Sequence, residues 1–251
     1  MSPKNQISII LPNYNSSKYL SSTLKSILRQ TYKNWKLFIV DDGSDKETLN
    51  ILKKIKSNKK IKVIYLKKNR GAGYCRNLAL KKVNSDYVAF IDSDDLWSKN
   101  KLGAQLKFML KNNYKFSYTK YQSFVEGDNK LRKINIPLKF NFEEFTKNTS
   151  IATSTMMINR KIAKSVKFTE TKICEDYFYK CMLLKKTNYA YCLKNYLTKY
   201  RIRKNSLQSN KFKNFYWIWK INSKYNKFNF LKNFISLLSI SFSSIKRYGY
   251  K

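Results

Sequence analysis

The chain has 251 residues, which suits one large domain or one domain with an appendage. It carries 52 basic residues against 15 acidic ones, 4 cysteines without CxxC spacing, and no histidine. This composition argues against a zinc site built from thiolates and imidazoles. A bound metal ion would need oxygen ligands, which favours Mg²⁺ or Mn²⁺.

The formal net charge of +37 favours a polyanionic partner such as an anionic lipid surface, a nucleic acid or a phosphorylated substrate. An AT-rich genome is an alternative explanation, because the chain is also rich in Asn, Ile, Tyr and Phe and has only 3 Pro and 6 Gly. Residues 1–6 are polar and the next apolar run is short, so we expect no cleavable signal peptide. We also expect no membrane span, and reduced cysteines in a cytosolic protein.

Strand and helix patterns alternate through the first 95 residues. Apolar runs predict strands at 7–11, 36–40, 61–66 and 87–91, and helical periodicity predicts helices at 18–30, 48–55 and 74–83. Short connections between alternating elements imply parallel strands with right-handed crossovers. The sequence therefore predicts an α/β, Rossmann-like nucleotide-binding half.

The fourth of these strands ends abruptly in carboxylates. Asp92 and Asp94, separated by Ser93, lie where open α/β sheets bind ligands, and they would offer two oxygen ligands to one divalent cation. The alternative is a turn in which Asp95 or Ser98 caps the helix that follows.

Two further features face the same predicted crevice. Asp41 and Asp42 end the second strand, where a carboxylate can accept hydrogen bonds from a ribose hydroxyl or a base; an Asx-turn is the alternative. The glycine turn at 69–73, with Arg76 behind it, suits an anion at a helix N-terminus.

The pattern changes in the second half of the chain. We predict a helix at 98–112 with Leu102, Leu106, Met109 and Leu110 inward, a half-exposed antiparallel strand at 114–125 and a hairpin turn at 126–129. Further along, we predict a helix at 142–146, a strand at 153–158, an apolar helix to which residues 173–178 lead and which runs to about 185, and a strand at 188–201. Glu175 and Asp176 lie near the start of the helix that runs to about 185. A favourable interaction with the helix dipole is the alternative to a catalytic role for them.

The last forty residues interleave lysines with aromatic residues. Phe212, Phe215, Tyr216 and Trp219 recur at helical spacing, residues 233–245 carry no charge, and no acidic residue follows Asp176. We expect amphipathic helices that bind an anionic membrane surface through residues 212–251. The alternative is a pair of helices that packs on the domain itself.

The order of these motifs resembles family 2 glycosyltransferases with the GT-A fold, over roughly residues 5–208. The motifs that carry this resemblance are PNYN, DDGSD, the glycine turn with CRN, IDSDD, TSTMMI and CEDYF. The resemblance implies a mostly parallel nucleotide-binding half merged with a smaller mixed-sheet acceptor half. It also implies inverting, metal-dependent transfer of a sugar, usually from a UDP-sugar.

The resemblance also implies roles for single residues on the donor side. Pro12 and Tyr14 would line the nucleotide pocket, Asp42 would meet the uracil with Asp41 beside it, and Arg76 would lie near the base or the diphosphate.

Three further segments would carry the metal, the base and the phosphate contacts. Asp92-Ser93-Asp94 would be the DxD motif, with Asp94 as the direct ligand of Mn²⁺ or Mg²⁺. Asp176, after Glu175, would be the general base. Arg201, with Ser206, would lie near the donor phosphates, and the strand at 153–158 would line the acceptor side.

The sequence lacks a QxxRW-type segment and a transmembrane bundle, so we expect one sugar per encounter and not a polymerised chain. Together with the basic tail, the family resemblance implies a lipid-linked or glycan acceptor, in bacterial surface polysaccharide or lipopolysaccharide assembly at the cytoplasmic face of the membrane. We divide the chain into residues 1–95 for the nucleotide-sugar, residues 96–208 for the acceptor and catalysis, and a helical tail at 209–251.

Two other function classes fit parts of the sequence. A basic nucleic-acid- or membrane-binding protein without catalysis would explain the charge but not the acidic clusters, and we expect no specific nucleic acid partner. A nucleotidyltransferase would need a glycine-rich phosphate loop after the first strand, where this chain has PNYN.

Overall fold

A computed structural model describes residues 4–55, 57–128, 130–169, 171, 173–203 and 210–249. The strands of this part of the chain are β1 (Ile7–Asn13), β2 (Trp35–Asp41), β3 (Ile61–Tyr65), β4 (Tyr87–Phe90), β5 (Leu96–Trp97), β6 (Phe116–Val125), β7 (Arg132–Ile134), β8 (Lys139–Phe140), β9 (Met157–Asn159) and β10 (Ala190–Ile202). The helices are α1 (Ser17–Leu28), α2 (Lys46–Ile55), α3 (Ala72–Lys82), α4 (Lys101–Lys111), α5 (Phe142–Thr146), α6 (Arg160–Lys164), α7 (Glu175–Thr187), α8 (Lys211–Ile221) and α9 (Phe230–Tyr248).

The described strands form one sheet in the order β3-β2-β1-β4-β9-β6-β10-β5, with β7 beside β6 and β8 beside β10. β1 to β4 pair in parallel. β9 runs antiparallel between β4 and β6, and β10 is parallel to β6 but antiparallel to β5. This arrangement confirms the predicted fold class, a mostly parallel part merged with a smaller mixed part.

Helices cover both faces of the parallel part, which is why its strands are continuous apolar runs. Side chains of β1 alternate between two cores. Ile9 packs with residues of α1, α2 and α4, whereas Ile10 packs with residues of α3, α6 and α7. Both isoleucines are fully buried, so the strand is fixed from both sides.

Two predicted elements differ from the structure. Residues 153–155 form a 3₁₀ turn instead of the start of a strand, and β9 follows only at Met157. The predicted cap at Asp95 or Ser98 is wrong, because α4 begins at Lys101 behind Asn100. Leu96 and Trp97 pair with β10 instead, which delays the helix.

The inward face predicted for the helix at 98–112 is confirmed at Leu102, Leu106 and Met109, which are buried. Leu110, which we also expected to point inward, is 48% exposed. Strand β6 is mostly buried, and it pairs in parallel with β10 as well as antiparallel with β7 across the predicted hairpin. This parallel pair extends the sheet beyond the first half of the chain.

The C-terminal tail forms α8 and α9, joined by a π-helical turn at Asn222–Asn226. The tail packs on the domain: the Tyr177 hydroxyl donates to the Asn222 side chain across 2.7 Å, and the Tyr121 and Tyr248 hydroxyls lie 2.9 Å apart. One side of the tail therefore packs on the domain, as the alternative hypothesis in the sequence analysis stated. Among the residues that the structure describes, no helix has the length and apolar character needed to cross a bilayer.

Candidate active site

Parallel pairing brings several predicted site residues to one edge of the sheet. Asn13, at the end of β1, is in register with Asp41, at the end of β2. β4 pairs with the other side of β1 and leads into Asp92. Carboxyl ends of neighbouring parallel strands form the crevice in which α/β sheets bind ligands.

Asp41 is buried and shapes the turn that follows β2. Its carboxylate accepts hydrogen bonds from Asn13 Nδ2 at 2.7 Å and from Ser44 Oγ at 2.6 Å, and it also accepts one from the Ser44 backbone amide. The Asx-type turn weighed in the sequence analysis therefore exists. Of the other predicted pocket residues, Pro12 is buried within β1, and the Tyr14 side chain is half exposed.

Asp42 holds the glycine turn. Its two carboxylate oxygens accept hydrogen bonds from the backbone amides of Arg70 and Gly71, at 2.7 and 2.8 Å. Burial and the nearby charge of Asp42 raise the pKa of the Cys75 thiol, so this cysteine is not a thiolate at neutral pH. Each carboxylate oxygen has two lone pairs, so Asp42 retains acceptor capacity beyond these bonds.

Arg76 joins two acidic motifs that are far apart in the sequence. Its Nη2 donates to Asp92 and its Nη1 to Glu175, both at 2.7 Å. The Arg76 side chain is only 5% exposed, so its charge is compensated within the protein by these two carboxylates. The guanidinium also lies 5.3 Å from the centre of the Phe168 ring.

Two arginines at the end of β10 hold the residues after Asp92. Arg203 Nε forms an ion pair with Asp94 at 2.8 Å, and Arg201 Nε donates to the Asp94 carbonyl at 2.9 Å. Burial raises the pKa of Asp94, while the Arg203 charge opposes this shift. The Arg201 amide also donates to Asp95, a buried carboxyl whose pKa is raised well above its ordinary value by burial and by Asp94.

Asp176 lies at the start of α7, within a buried ion pair. Lys180 Nζ is 2.6 Å from its Oδ2, and Thr153 Oγ1 donates to the same oxygen at 3.0 Å. Burial alone would raise the pKa of Asp176, but the Lys180 charge and these hydrogen bonds lower it to about 2. The neighbouring Glu175 has its pKa raised by burial, although the Arg76 charge opposes that shift.

The carboxylates suit a hard divalent cation. No cluster of three or more Asp, Glu or Cys side chains forms a complete metal site in the described part of the chain. Mg²⁺ and Mn²⁺ are commonly held by one or two carboxylates together with the phosphate oxygens of a substrate. Asp92 and Asp94 supply such a pair, with exposed side-chain fractions of 32% and 13%.

The structure thus brings Asp92 and Glu175 to Arg76 and Asp94 to the arginines at the end of β10. Asp41 and Asp42 contact other groups, at the turn after β2 and at the glycine turn respectively. Sequence analysis assigned no individual role to four contributors, namely Thr153, Ser154, Lys180 and Arg203, although it expected the segment 153–158 to line the acceptor side. Periodicity could have found two of them, because Lys180 follows Asp176 by one helical turn and Arg203 follows Arg201 by two residues. Ser206 lies outside the described residues.

Comparison with known proteins identifies similar chains. A model of the family described as glycosyl transferase family 2 matches residues 8–167. The putative teichuronic acid biosynthesis glycosyltransferase TuaG of Bacillus subtilis is 36% identical over 228 residues, which cover 90% of this chain and 90% of the relative. The UDP-Glc:alpha-D-GlcNAc-diphosphoundecaprenol beta-1,3-glucosyltransferase WfgD of Escherichia coli is 34% identical over 217 residues, which cover 86% of this chain and 84% of the relative.

Solved structures share the fold at lower identity. S. aureus TarS 1–349 in complex with UDP-GlcNAc matches with a TM-score of 0.73 and 21% identity, over 96% of this chain and 73% of that chain. The mannosyltransferase PcManGT from Pyrobaculum calidifontis, in complex with GDP-Man and Mn²⁺, matches with a TM-score of 0.72 and 13% identity, over 95% of this chain and 70% of that chain. These likenesses confirm the predicted GT-A fold.

Proposed function

The chain belongs to glycosyl transferase family 2, and from this premise we propose that it transfers a sugar from a UDP-sugar to a hydroxyl of a lipid-linked glycan in bacterial surface polysaccharide or lipooligosaccharide assembly. Membership of this family makes the chain an enzyme and replaces the alternative of a binding protein without catalysis. Relatives named for teichuronic acid biosynthesis and for a diphosphoundecaprenol-linked acceptor support the setting. The bound UDP-GlcNAc of a protein with the same fold supports the donor.

The observation that carries this proposal is the bridge formed by Arg76. One buried guanidinium binds Asp92 of the DxD motif and Glu175, which precedes Asp176. A donor held at Asp92 would therefore lie close to the start of α7. Transfer requires this arrangement, because the base must reach the acceptor hydroxyl while the leaving nucleotide is held on the other side of the anomeric carbon.

On the donor side, we assign Pro12, Tyr14 and Asp41 to the nucleotide pocket and Asp42 to the uracil. Asp42 is already oriented by two backbone amides, so a base N–H would meet a carboxylate that needs no reorganisation.

Asp92 and Asp94, with Ser93 between them, would hold Mn²⁺ or Mg²⁺ together with the diphosphate. When bound, the ion would supply positive charge that stabilises the leaving UDP. Arg76 and Arg201 would place two further cationic groups near the phosphates. Arg203 Nε pairs with only one oxygen of Asp94, Oδ2, so the ion would bind through the other oxygen or replace that guanidinium.

On the acceptor side, we assign Asp176 as the general base. It would accept the proton of the attacking hydroxyl while the oxygen bonds to the anomeric carbon and the bond to UDP breaks, in a single displacement that inverts that carbon. With its pKa held to about 2, Asp176 is ionised at neutral pH but only weakly basic. Proton transfer is then expected late, after bond formation has made the hydroxyl acidic.

We further propose that the enzyme adds one sugar per encounter, with residues 1–95 for the donor, 96–208 for acceptor and catalysis, and 209–251 as a membrane-binding tail on the cytoplasmic face. The outer side of α9 supports the last assignment. Its large apolar side chains are 44–74% exposed and form one stripe, made by Phe230, Leu231, Phe234, Ile235, Leu238 and Phe242. An apolar stripe on a chain of this charge suits an anionic lipid surface.

The proposal is tested by incubating the purified chain and Mn²⁺ with a panel of UDP-sugars and a short-chain lipid-diphosphate-linked GlcNAc acceptor. We expect release of UDP with one donor and a product whose anomeric configuration, read by NMR coupling constants, is opposite to that of the donor. Retained configuration would contradict the single displacement. Absence of transfer across UDP-sugars and acceptors, with a folded chain, would contradict the proposed donor class.

A further inference from the structure

Residues 153–155 carry three successive hydroxyl groups, and each has a different partner. Thr153 Oγ1 donates to Asp176 Oδ2 at 3.0 Å. Ser154 Oγ donates to Asp95 and accepts from the Asp92 backbone amide, the latter at 3.0 Å. Thr155 Oγ1 donates only within its own turn, to the Ala152 carbonyl at 2.6 Å.

The backbone of this turn is fixed from behind. The carbonyls of residues 154, 155 and 156 each accept a hydrogen bond from a buried side chain in the segment after the DxD motif: Trp97 Nε1 at 2.8 Å, Gln105 Nε2 at 3.0 Å and Lys101 Nζ at 3.5 Å. All three residues of the 3₁₀ turn are buried. The directions of the hydroxyls are therefore set by the core and not by solvent.

Two adjacent side chains thus reach the two halves of the site. Thr153 contacts the acid at the start of α7, and Ser154 contacts the loop that carries Asp92. No atom of a substrate needs to touch either hydroxyl for both to matter, because displacement of a reacting group by about 1 Å can reduce turnover by about a hundredfold.

We infer that Thr153 and Ser154 are positioning residues that set the relative placement of the base and the donor: Thr153 orients Asp176, and Ser154 anchors the Asp92–Asp95 loop. The inference rests on the proposed function, in which Asp176 is the base and Asp92 and Asp94 belong to the donor site. Loss of the Thr153 hydroxyl should therefore affect kcat, whereas loss of the Ser154 hydroxyl should affect UDP affinity.

The test compares three variants of the full chain, Thr153→Val, Ser154→Ala and Thr146→Val. UDP affinity is measured by calorimetry with Mn²⁺, and kcat and the acceptor KM are measured with a UDP-sugar. For Thr153→Val we expect kcat to fall about tenfold or more with UDP affinity within about twofold of the wild type, since a hydrogen bond to a charged group is lost. For Ser154→Ala we expect UDP affinity to fall about tenfold, because the Asp92 amide and the buried Asp95 lose a partner.

Thr146→Val is the matched control. The Thr146 hydroxyl is also buried and donates to the Glu143 carbonyl within its own helix α5 at 2.9 Å, so we expect both quantities to stay within about threefold of the wild type. Thr153→Ser retains the hydroxyl and should recover most of the kcat lost in Thr153→Val, which a role in packing alone would not predict. Thermal midpoints of all variants report on folding.

Equal loss of UDP affinity in Thr153→Val and Ser154→Ala would overturn the inference, as would a wild-type kcat in Thr153→Val or a Thr153→Ser variant as slow as Thr153→Val. Failure of the proposed function would look different, since the wild-type chain itself would then neither bind UDP nor release it from a UDP-sugar. The inference would fall with it in that case.

Discussion

Arg76 and Glu175, 99 positions apart in the chain, are joined by a 2.7 Å hydrogen bond between a guanidinium and a carboxylate that are both largely buried. This contact ties the helix after the glycine turn to α7, which begins at Glu175. Because Arg76 also binds Asp92, one side chain fixes the spacing of three segments.

Replacing Arg76 tests how much this contact contributes. Arg76→Met leaves the buried Glu175 without its cation, so we expect the free energy of unfolding to fall by about 3 kcal/mol. Urea unfolding measures this change. Arg29→Met is the control, since the Arg29 side chain is exposed, and it should cost less than about 0.5 kcal/mol. Equal stability of the two variants would contradict a structural role for the bridge.

The ion pair between Lys180 and Asp176 predicts a pH effect. The folded state holds the pKa of Asp176 at about 2, below its ordinary value, so the pair stabilises the fold at neutral pH and this contribution is lost as pH falls toward about 2. Lys180→Met should raise the pKa of Asp176 and move the acid limb of the kcat profile to higher pH.

The profile is measured by UDP release between about pH 4 and pH 8, the range above the ordinary carboxyl pKa. Lys186→Met, an exposed lysine on the same helix, serves as the control and should leave the profile in place. If the Lys180→Met profile superimposes on that of the wild type, Asp176 is not the group that sets the acid limb.

The outer side of α9 predicts membrane binding with a matched pair of leucines. Leu238 in α9 is 55% exposed and Leu110 in α4 is 48% exposed. Leu238→Gln should weaken flotation with anionic vesicles about tenfold, because a leucine buried in the lipid interface contributes on the order of 1.5 kcal/mol, whereas Leu110→Gln should not. Equal flotation of the two variants would contradict a role for α9.

The inner side of the tail predicts a stability effect. Asn222 accepts from the Tyr177 hydroxyl and donates to Asn233 at 3.1 Å, within a buried network. Asn222→Ala should lower the free energy of unfolding by about 1–3 kcal/mol, since its partners lose their hydrogen bonds. The exposed Asn195→Ala should change it by less than about 0.5 kcal/mol. A similar stability for both would mean that the tail contributes little to the domain.

Much of the fold could be predicted because β1, β2 and β4 are mostly buried on both faces, and so appear as apolar runs between amphipathic helices. β3, at the edge of the sheet, is only partly buried. Because the apolar runs end sharply, the acids that follow the second and fourth strands could be placed at the carboxyl ends of those strands. The predicted start of the helix at 98–112 was wrong because strand pairing is not visible in the local sequence pattern. Leu96 and Trp97 pair with β10, and α4 starts three residues later than its periodicity indicated.

Other features leave little trace in the sequence. Lys101 has the composition of an exposed helical residue, yet it is fully buried with its ammonium 4.0 Å from the centre of the Trp97 ring, and burial lowers its pKa well below the ordinary value. The local sequence around Thr153 and Ser154 resembles a strand. Their role depends on partners that are distant in the chain, so no local pattern indicates it. The tail was predicted as amphipathic, but which of its sides meets the domain depends on Tyr177 and Tyr121, which no local pattern connects to it.

The most direct test of the proposed mechanism compares wild type with Asp176→Asn, using UDP calorimetry in Mn²⁺ and UDP release from the preferred UDP-sugar, with the exposed Asp128→Asn as control. Loss of the base predicts that kcat falls by about a hundredfold or more in Asp176→Asn while UDP affinity stays within about twofold. Near-wild-type turnover in a folded Asp176→Asn variant would contradict the assignment of Asp176 as the base.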